Sequence, residues 1–172
     1  MMKEAFHAAE PDDVNIRFSV LQDIQQLMEL DHLIWDEKVT PASFRRWISQ
    51  EEYMAHRPVG TQLVAVKGNI VCGYLGLQSP TPLPSNSHVS ELDIGVHPAF
   101  QRRGIGRKLL DTAAAVAYGQ GKRKLSLRVL STNEEAILFY KRCGFTEQGR
   151  LVQEFYLGGR YVDDLLMYRL LD

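Results

Sequence analysis

Between Val96 and Arg107 the chain reads Val-His-Pro-Ala-Phe-Gln-Arg-Arg-Gly-Ile-Gly-Arg, and here residue types and spacing point most directly to chemistry. Pro98 helps stop a strand, and a helical pattern begins at Gly104. The first turn of a helix carries N–H groups without intrahelical partners and the positive end of the dipole, so it favours an anion. Gly104 and Gly106 remove side chains there, while Arg102, Arg103, Arg107 and Lys108 concentrate positive charge. Cations at a helix N-terminus are mildly unfavourable on their own. An anionic ligand such as a phosphate resolves that conflict; an ordinary turn with a solvated basic face is the other reading. The three-glycine dinucleotide fingerprint is absent, and no Gly-Lys-Ser/Thr follows to make a Walker loop.

Two carboxylates lie just upstream. In the apparent strand from His88 to His97, Leu92, Ile94 and Val96 fall on one face, and Glu91, Asp93 and Gly95 on the other. Such carboxylates accept protons or attract cations, and they equally serve as solvated or salt-bridged strand residues. His32, His56 and His88 lack metal-ligand spacing, so no metal is expected. His97, at the strand end, reads as structural. No histidine partner is placed for Cys143, which reads with Cys72 as a free, inert thiol.

The surrounding elements must position these groups. Val14 to Val20 alternates as a strand, and Leu21 to Trp35 has helical spacing. Pro41 suits the first turn of a second helix through Phe44, Trp47 and Ile48. Thr61 to Lys67 and Ile70 to Leu77 form a hairpin across Gly68-Asn69. Gln78 to Ser90, with three prolines and four serines, is a loop. Gly104 to Tyr118 is a helix, Leu125 to Leu130 a strand and Asn133 to Lys141 a helix. Phe145 to Tyr156 and Tyr161 to Leu170 are strands joined through Gly158-Gly159. Strands and helices alternate only in the second half, which indicates an α/β or α+β mixed sheet rather than a regular doubly wound fold.

Composition bounds the function. The 172 residues hold 45% hydrophobic and 24% charged residues, as in a soluble globular protein with a sizeable core. Residues 1–13 read as a flexible start and 14–172 as a single domain. Lys plus Arg is 20 against 21 Asp plus Glu, which removes a whole-protein basic field for nucleic acid. The short clusters Arg102 to Lys108 and Lys122 to Lys124 do not replace one. No apolar run reaches the roughly 20 residues that span a bilayer, so no membrane association is expected. The acidic, coreless start is no signal peptide, and the expected address is cytoplasmic.

Two motifs in order carry a resemblance. Gln101-Arg102-Arg103-Gly104-Ile105-Gly106 resembles the Gln/Arg-x-x-Gly-x-Gly/Ala segment of the GNAT superfamily of acetyl-CoA-dependent N-acetyltransferases. Asn133 to Tyr140, followed by Gly144-Phe145, resembles its Asn-x-x-Ala-x-x-x-Tyr…Gly-Phe segment. The resemblance implies a GNAT-like fold: a central, mostly antiparallel sheet with flanking helices, splayed at a cofactor cleft between the strands ending near His97 and Leu130. It implies that the main chain of Ile94, Gly95 and Val96 pairs with the pantetheine arm of acetyl-CoA. The pyrophosphate would meet the N–H groups from Arg102 through Arg103, Gly104, Ile105 and Gly106 to Arg107. Asn133 would hydrogen-bond the pantetheine region, and Tyr140 would face the thioester sulfur.

The implied activity is direct acetyl transfer to a primary amine of a small molecule or a peptide N-terminus, without an acyl-enzyme. A thiol titrates near pH ~8.5 and a tyrosine near ~10, so Tyr140 at neutral pH is a protonated donor for the departing thiolate. Some members place a catalytic Glu where Glu91 stands, with Asp93 as the reserve base. Others carry a Glu on the following strand, where this chain has Arg128. That departure keeps a second reading alive, a catalytically silent acyl-CoA sensor or interaction module. Trp35, Asp36, Glu37 and Trp47, the loop from Gln78 to Ser90 and the hairpin at Gly158-Gly159 are candidate walls for the acceptor. Family members are often dimers, which makes a homodimer part of what is implied.

Overall fold

The computed structural model describes residues 13–36, 38–42 and 47–172. Within them one seven-stranded sheet runs in the order β1-β2-β3-β4-β5-β7-β6. The strands are β1 (Asn15–Phe18), β2 (Gln62–Lys67), β3 (Ile70–Gln78), β4 (Val89–Val96), β5 (Lys124–Leu130), β6 (Thr146–Leu157) and β7 (Arg160–Leu170). The helices are α1 (Ile24–Ile34), α2 (Gln50–His56), α3 (Ile105–Gly119) and α4 (Glu134–Arg142). Every neighbouring pair is antiparallel except β4 with β5. The mixed, mostly antiparallel sheet is therefore as expected.

Both faces of the sheet are covered, and the strand sequences follow from that. Along β2, Leu63 and Ala65 join one apolar cluster while Val64 and Val66 join the other, so an unbroken apolar run is required. The first cluster holds Leu92 and Ile94 of β4, Leu125, Leu127 and Val129 of β5, and Leu109, Leu110 and Ala113 of α3. Ile137, Phe139 and Tyr140 of α4 pack against it. The second is built from Ile24, Leu27 and Leu30 of α1, Tyr53 of α2, and Val71 and Tyr74 of β3.

One expected element moved. Trp47 to Ser49 are not helical, and α2 begins at Gln50. Ser49 caps it by accepting from Glu52 N–H at 3.1 Å. The apolar spacing of Trp47 and Ile48 was misleading: Ile48 is 89% exposed, and Trp47 is placed by its indole hydrogen bond to Asp31 at 2.8 Å. Phe44 and Glu37 lie outside the described residues, as does the start up to Pro11 and Asp12.

The decisive feature of the topology is the join of β4 to β5. Their pairing has only three rows: Val89 with Lys124, Ser90 with Leu125 and Glu91 with Ser126. Both strands continue past it, β4 to Val96 and β5 to Leu130. On its other side β4 stays paired with β3 up to Val96 opposite Gly73. From Leu92 onward the sheet is split, and one edge of β4 is unpaired.

Candidate functional site

At the split, β4 offers a row of main-chain N–H and C=O groups from Leu92 to Val96. Such groups bind an extended ligand as a further strand would. Just beyond, His97 and Pro98 close the strand: His97 Nδ1 accepts from Ala99 N–H at 3.0 Å, and Gln101 donates to Val96 C=O at 3.2 Å. His97 is thus used structurally. The chain then turns through Arg102 and Gly104, at φ values of +61° and +78°, into α3.

The two glycines of this turn have separate reasons. Gly104 supplies the positive φ, and a Cβ there would meet open space. A Cβ on Gly106 would stand 2.9 Å from Phe139 Cζ, so Gly106 lets α4 pack against the first turn of α3. The N–H groups of that turn have no intrahelical acceptor. The cations expected here line the surface. Arg102 is 86% exposed, 3.6 Å from Glu135, and Arg103 lies over Phe100. Arg107 donates to Arg142 C=O at 2.6 Å, and Lys108 to Val14 C=O at 2.5 Å.

Helix α4 brings the second expected group. Asn133 caps it by accepting from Ala136 N–H at 3.3 Å. Seven residues on, Tyr140 is half-buried against Phe139 and Phe145, with ring centroids 5.4 and 5.9 Å apart. Its hydroxyl makes no hydrogen bond among the described residues. Burial, and then the negative charge of Asp93, push its pKa up. Both effects favour the protonated phenol.

The two β4 carboxylates differ. Glu91 sits in the last paired row, while Asp93 lies past the split. Asp93 faces Gly76 of β3, where any Cβ would collide with Asp93 Oδ1. Its Oδ2 is sealed from solvent, 3.1 Å from Arg57 Nη1. Behind them stands a polar array. Arg57 Nη1 is 4.0 Å from Asp31 Oδ1, and Arg57 covers the Tyr74 ring at 5.2 Å. The Tyr74 hydroxyl donates to Asp31 at 2.6 Å and accepts from the Trp35 indole at 2.6 Å. Burial raises the Asp93 pKa; Arg57 lowers it and Asp31 raises it, leaving it above the usual carboxylate range. Burial pushes Tyr53 up to about 12, and its hydroxyl donates to Gln62 at 2.9 Å.

These features are a strand edge for an extended chain, a helix start for an anion, a phenol and a carboxylate. The Acetyltransferase (GNAT) family matches residues 24–145. The chain belongs to the GNAT acetyltransferase family. Members are acetyl-CoA-dependent N-acetyltransferases, and the free β4 edge and α3 turn fit that donor. The L-amino acid N-acyltransferase MnaT of Escherichia coli is 26% identical over 166 residues, 92% of this chain and 95% of that protein. A spermidine N(1)-acetyltransferase of Vibrio cholerae is 37% identical over 80 residues, 46% of each chain. The crystal structure of smu.2055 from Streptococcus mutans aligns with a TM-score of 0.85 at 34% identity, covering 92% of this chain and 99% of that one. That of yncA from Salmonella typhimurium, with its cofactor acetyl-CoA, aligns at 0.81 and 26% identity, covering 94% and 95%.

Set in the GNAT frame, Arg57, Asp31 and Tyr74 are the residues that sequence reading missed. The available signal was Gly76, a glycine inside an apolar strand, which marks a close approach. Asp36 forms a local turn with Lys38 N–H at 2.8 Å. Trp35 and Trp47 donate into the Asp31 array rather than standing free as a platform. Cys72 and Cys143 are buried, and burial raises both thiols. Among the described residues no group of three or more His, Cys, Asp or Glu stands together as a metal site, and no helix is long and apolar enough to cross a membrane.

Proposed function

We propose that this GNAT enzyme moves the acetyl group of acetyl-CoA directly to a primary amine of a small molecule or a peptide N-terminus. The observation that carries this is the split of β4 from β5 after Glu91, which leaves one edge of β4 unpaired beside the first turn of α3. Bound acetyl-CoA supplies an activated acetyl thioester. The main chain of Ile94, Gly95 and Val96 holds its pantetheine arm, and the N–H groups from Arg102 to Arg107 hold its pyrophosphate. Asn133 adds a hydrogen bond from its amide while its oxygen caps α4. Tyr140 Oη keeps its proton at neutral pH and delivers it to the departing sulfur.

The amine must lose a proton before it attacks. Glu91 and Asp93 are the two carboxylates of β4, and Asp93 is better placed. It lies past the last paired row, at the opening, and burial raises its pKa toward that of a useful base. Glu91→Gln that retains its rate and acidic limb, beside Asp93→Asn that loses both, supports Asp93; the reverse assigns the base to Glu91.

The test is free-thiol release from acetyl-CoA across a panel of amines and peptide N-termini, with mass spectrometry of the acceptor. Acceptor-dependent release with an N-acetylated product supports the reading. Tight acetyl-CoA binding without release on any acceptor contradicts it and favours a silent acyl-CoA sensor.

A further inference from the structure

Asp93 and Arg128 occupy equivalent places on the two strands that part. The last paired row is Glu91 with Ser126, and each residue lies two positions beyond it on its own parallel strand. Leu92 and Ile94, like Leu127 and Val129, are buried in the α3-side core. By the two-residue period of a strand, Asp93 and Arg128 therefore share the opposite face, one on each lip of the split. That face carries α1 over β3 and β4. A carboxylate and a guanidinium thus flank the opening from which an acceptor must approach.

Arg128 is built as a fixed fork. Its Nε donates to Asp164 Oδ2 at 2.6 Å. The Asp164 side chain is only 4% exposed, whereas that of Arg128 is 45% exposed. Asp164 of β7 pairs with Leu130 of β5, so it sits diagonally beside Arg128 on the same face. One edge of the guanidinium is thereby pinned by a buried anion, and the Nη groups make no hydrogen bond among the described residues. A planar, pre-oriented fork with free N–H groups suits a carboxylate.

We propose that Arg128 is the carboxylate-binding residue of the acceptor site, and that the acceptor is a zwitterion with a carboxylate next to its amine, as in an α-amino acid. This rests on the N-acetyltransferase reading above and narrows its substrate class. The ammonium end faces Asp93 and the carboxylate end faces Arg128. An amine without a carboxylate leaves Arg128 unanswered, and a polyamine adds positive charge beside Arg57 and Arg128.

The experiment measures thiol release with a set of free α-amino acids, their α-amides and a linear polyamine, for the wild type, Arg128→Gln and Arg128→Lys. A charge-assisted hydrogen bond of about 1.5–3 kcal/mol corresponds to about ten- to a hundredfold. The wild type is expected to favour amino acids over their amides by that factor in kcat/KM. Arg128→Gln raises KM for amino acids by the same factor and leaves the amides within about twofold, and Arg128→Lys restores part of the difference. Equal losses on amino acids and amides reduce Arg128 to a structural partner of Asp164 and overturn the proposal. So does a wild type that prefers amides or the polyamine, a result that needs no variant to fold. Acetyl-CoA binding without release on any of these amines contradicts the transferase reading itself, and the proposal falls with it.

Discussion

Asp93 stands between opposing charges, which makes its titration the sharpest residue-scale test. Burial and Asp31 raise its pKa, and Arg57 lowers it. As a base, Asp93 works when ionised, so activity rises with pH through its raised pKa, above the usual carboxylate range. Arg57→Gln removes the attraction and is expected to move the acidic limb of kcat/KM upward. Asp31→Asn removes the repulsion and is expected to move it downward. Carboxylate-selective NMR of the same proteins reads the shift without turnover. Limbs that move together, or not at all, disconnect this array from the base. A packing role alone changes stability but gives no opposed pair of shifts.

Two elements carry local side chains whose expected part in the site can be separated from their structural one. Asn133 caps α4, the helix that aims Tyr140. Asn133→Asp keeps the capping oxygen and loses the amide donor, whereas Asn133→Ala loses both. The alanine variant is expected to lose about 0.5–2 kcal/mol of stability to urea. The aspartate variant is expected to keep its stability and bind acetyl-CoA more weakly by calorimetry. Equal affinity in wild type and Asn133→Asp confines Asn133 to capping. On β3, Gly76→Ala is expected to displace the Asp93 carboxylate and to cut turnover while the fold survives, since the clash is with a side-chain end. Much of this was legible beforehand. The strand–turn–helix around Gly104 and the α4 segment ending at Gly144 are set by local signals, a positive φ, an N-cap and helical spacing. The Arg57–Asp93 contact joins the end of α2 to β4 over one face of the sheet, 36 positions apart, and no local pattern encodes it. The start of α2 was misread for the same reason: Trp47 is held by Asp31, 16 positions away, and not by helical neighbours.

At the scale of the whole molecule, the split must survive although it removes pairing from the middle of the sheet. Cores on both faces and antiparallel pairs on either side hold the halves together. At the β1 edge, Arg17 donates twice to Asp23, at 2.7 and 2.9 Å, and Val20 N–H donates to it at 2.8 Å. Burial alone would raise the Asp23 pKa, but these hydrogen bonds and the Arg17 charge leave it below the usual carboxylate range. Its stabilising effect is therefore complete above the unfolded value near pH ~4 and is lost as pH falls through the lower native value. Asp23→Ala is expected to cost about 1–3 kcal/mol at neutral pH, and the deficit against wild type should shrink in acid. A deficit that stays constant with pH would assign the loss to packing. The groups at the split are proposed to perform acetyl transfer, with Tyr140 giving up the proton. The most direct measurement is single-turnover transfer from bound acetyl-CoA to a competent amine, comparing the wild type with Tyr140→Phe. In Tyr140→Phe the chemical step is expected to slow by about 10²–10⁴-fold with acetyl-CoA affinity unchanged. An undiminished chemical step in Tyr140→Phe would contradict it.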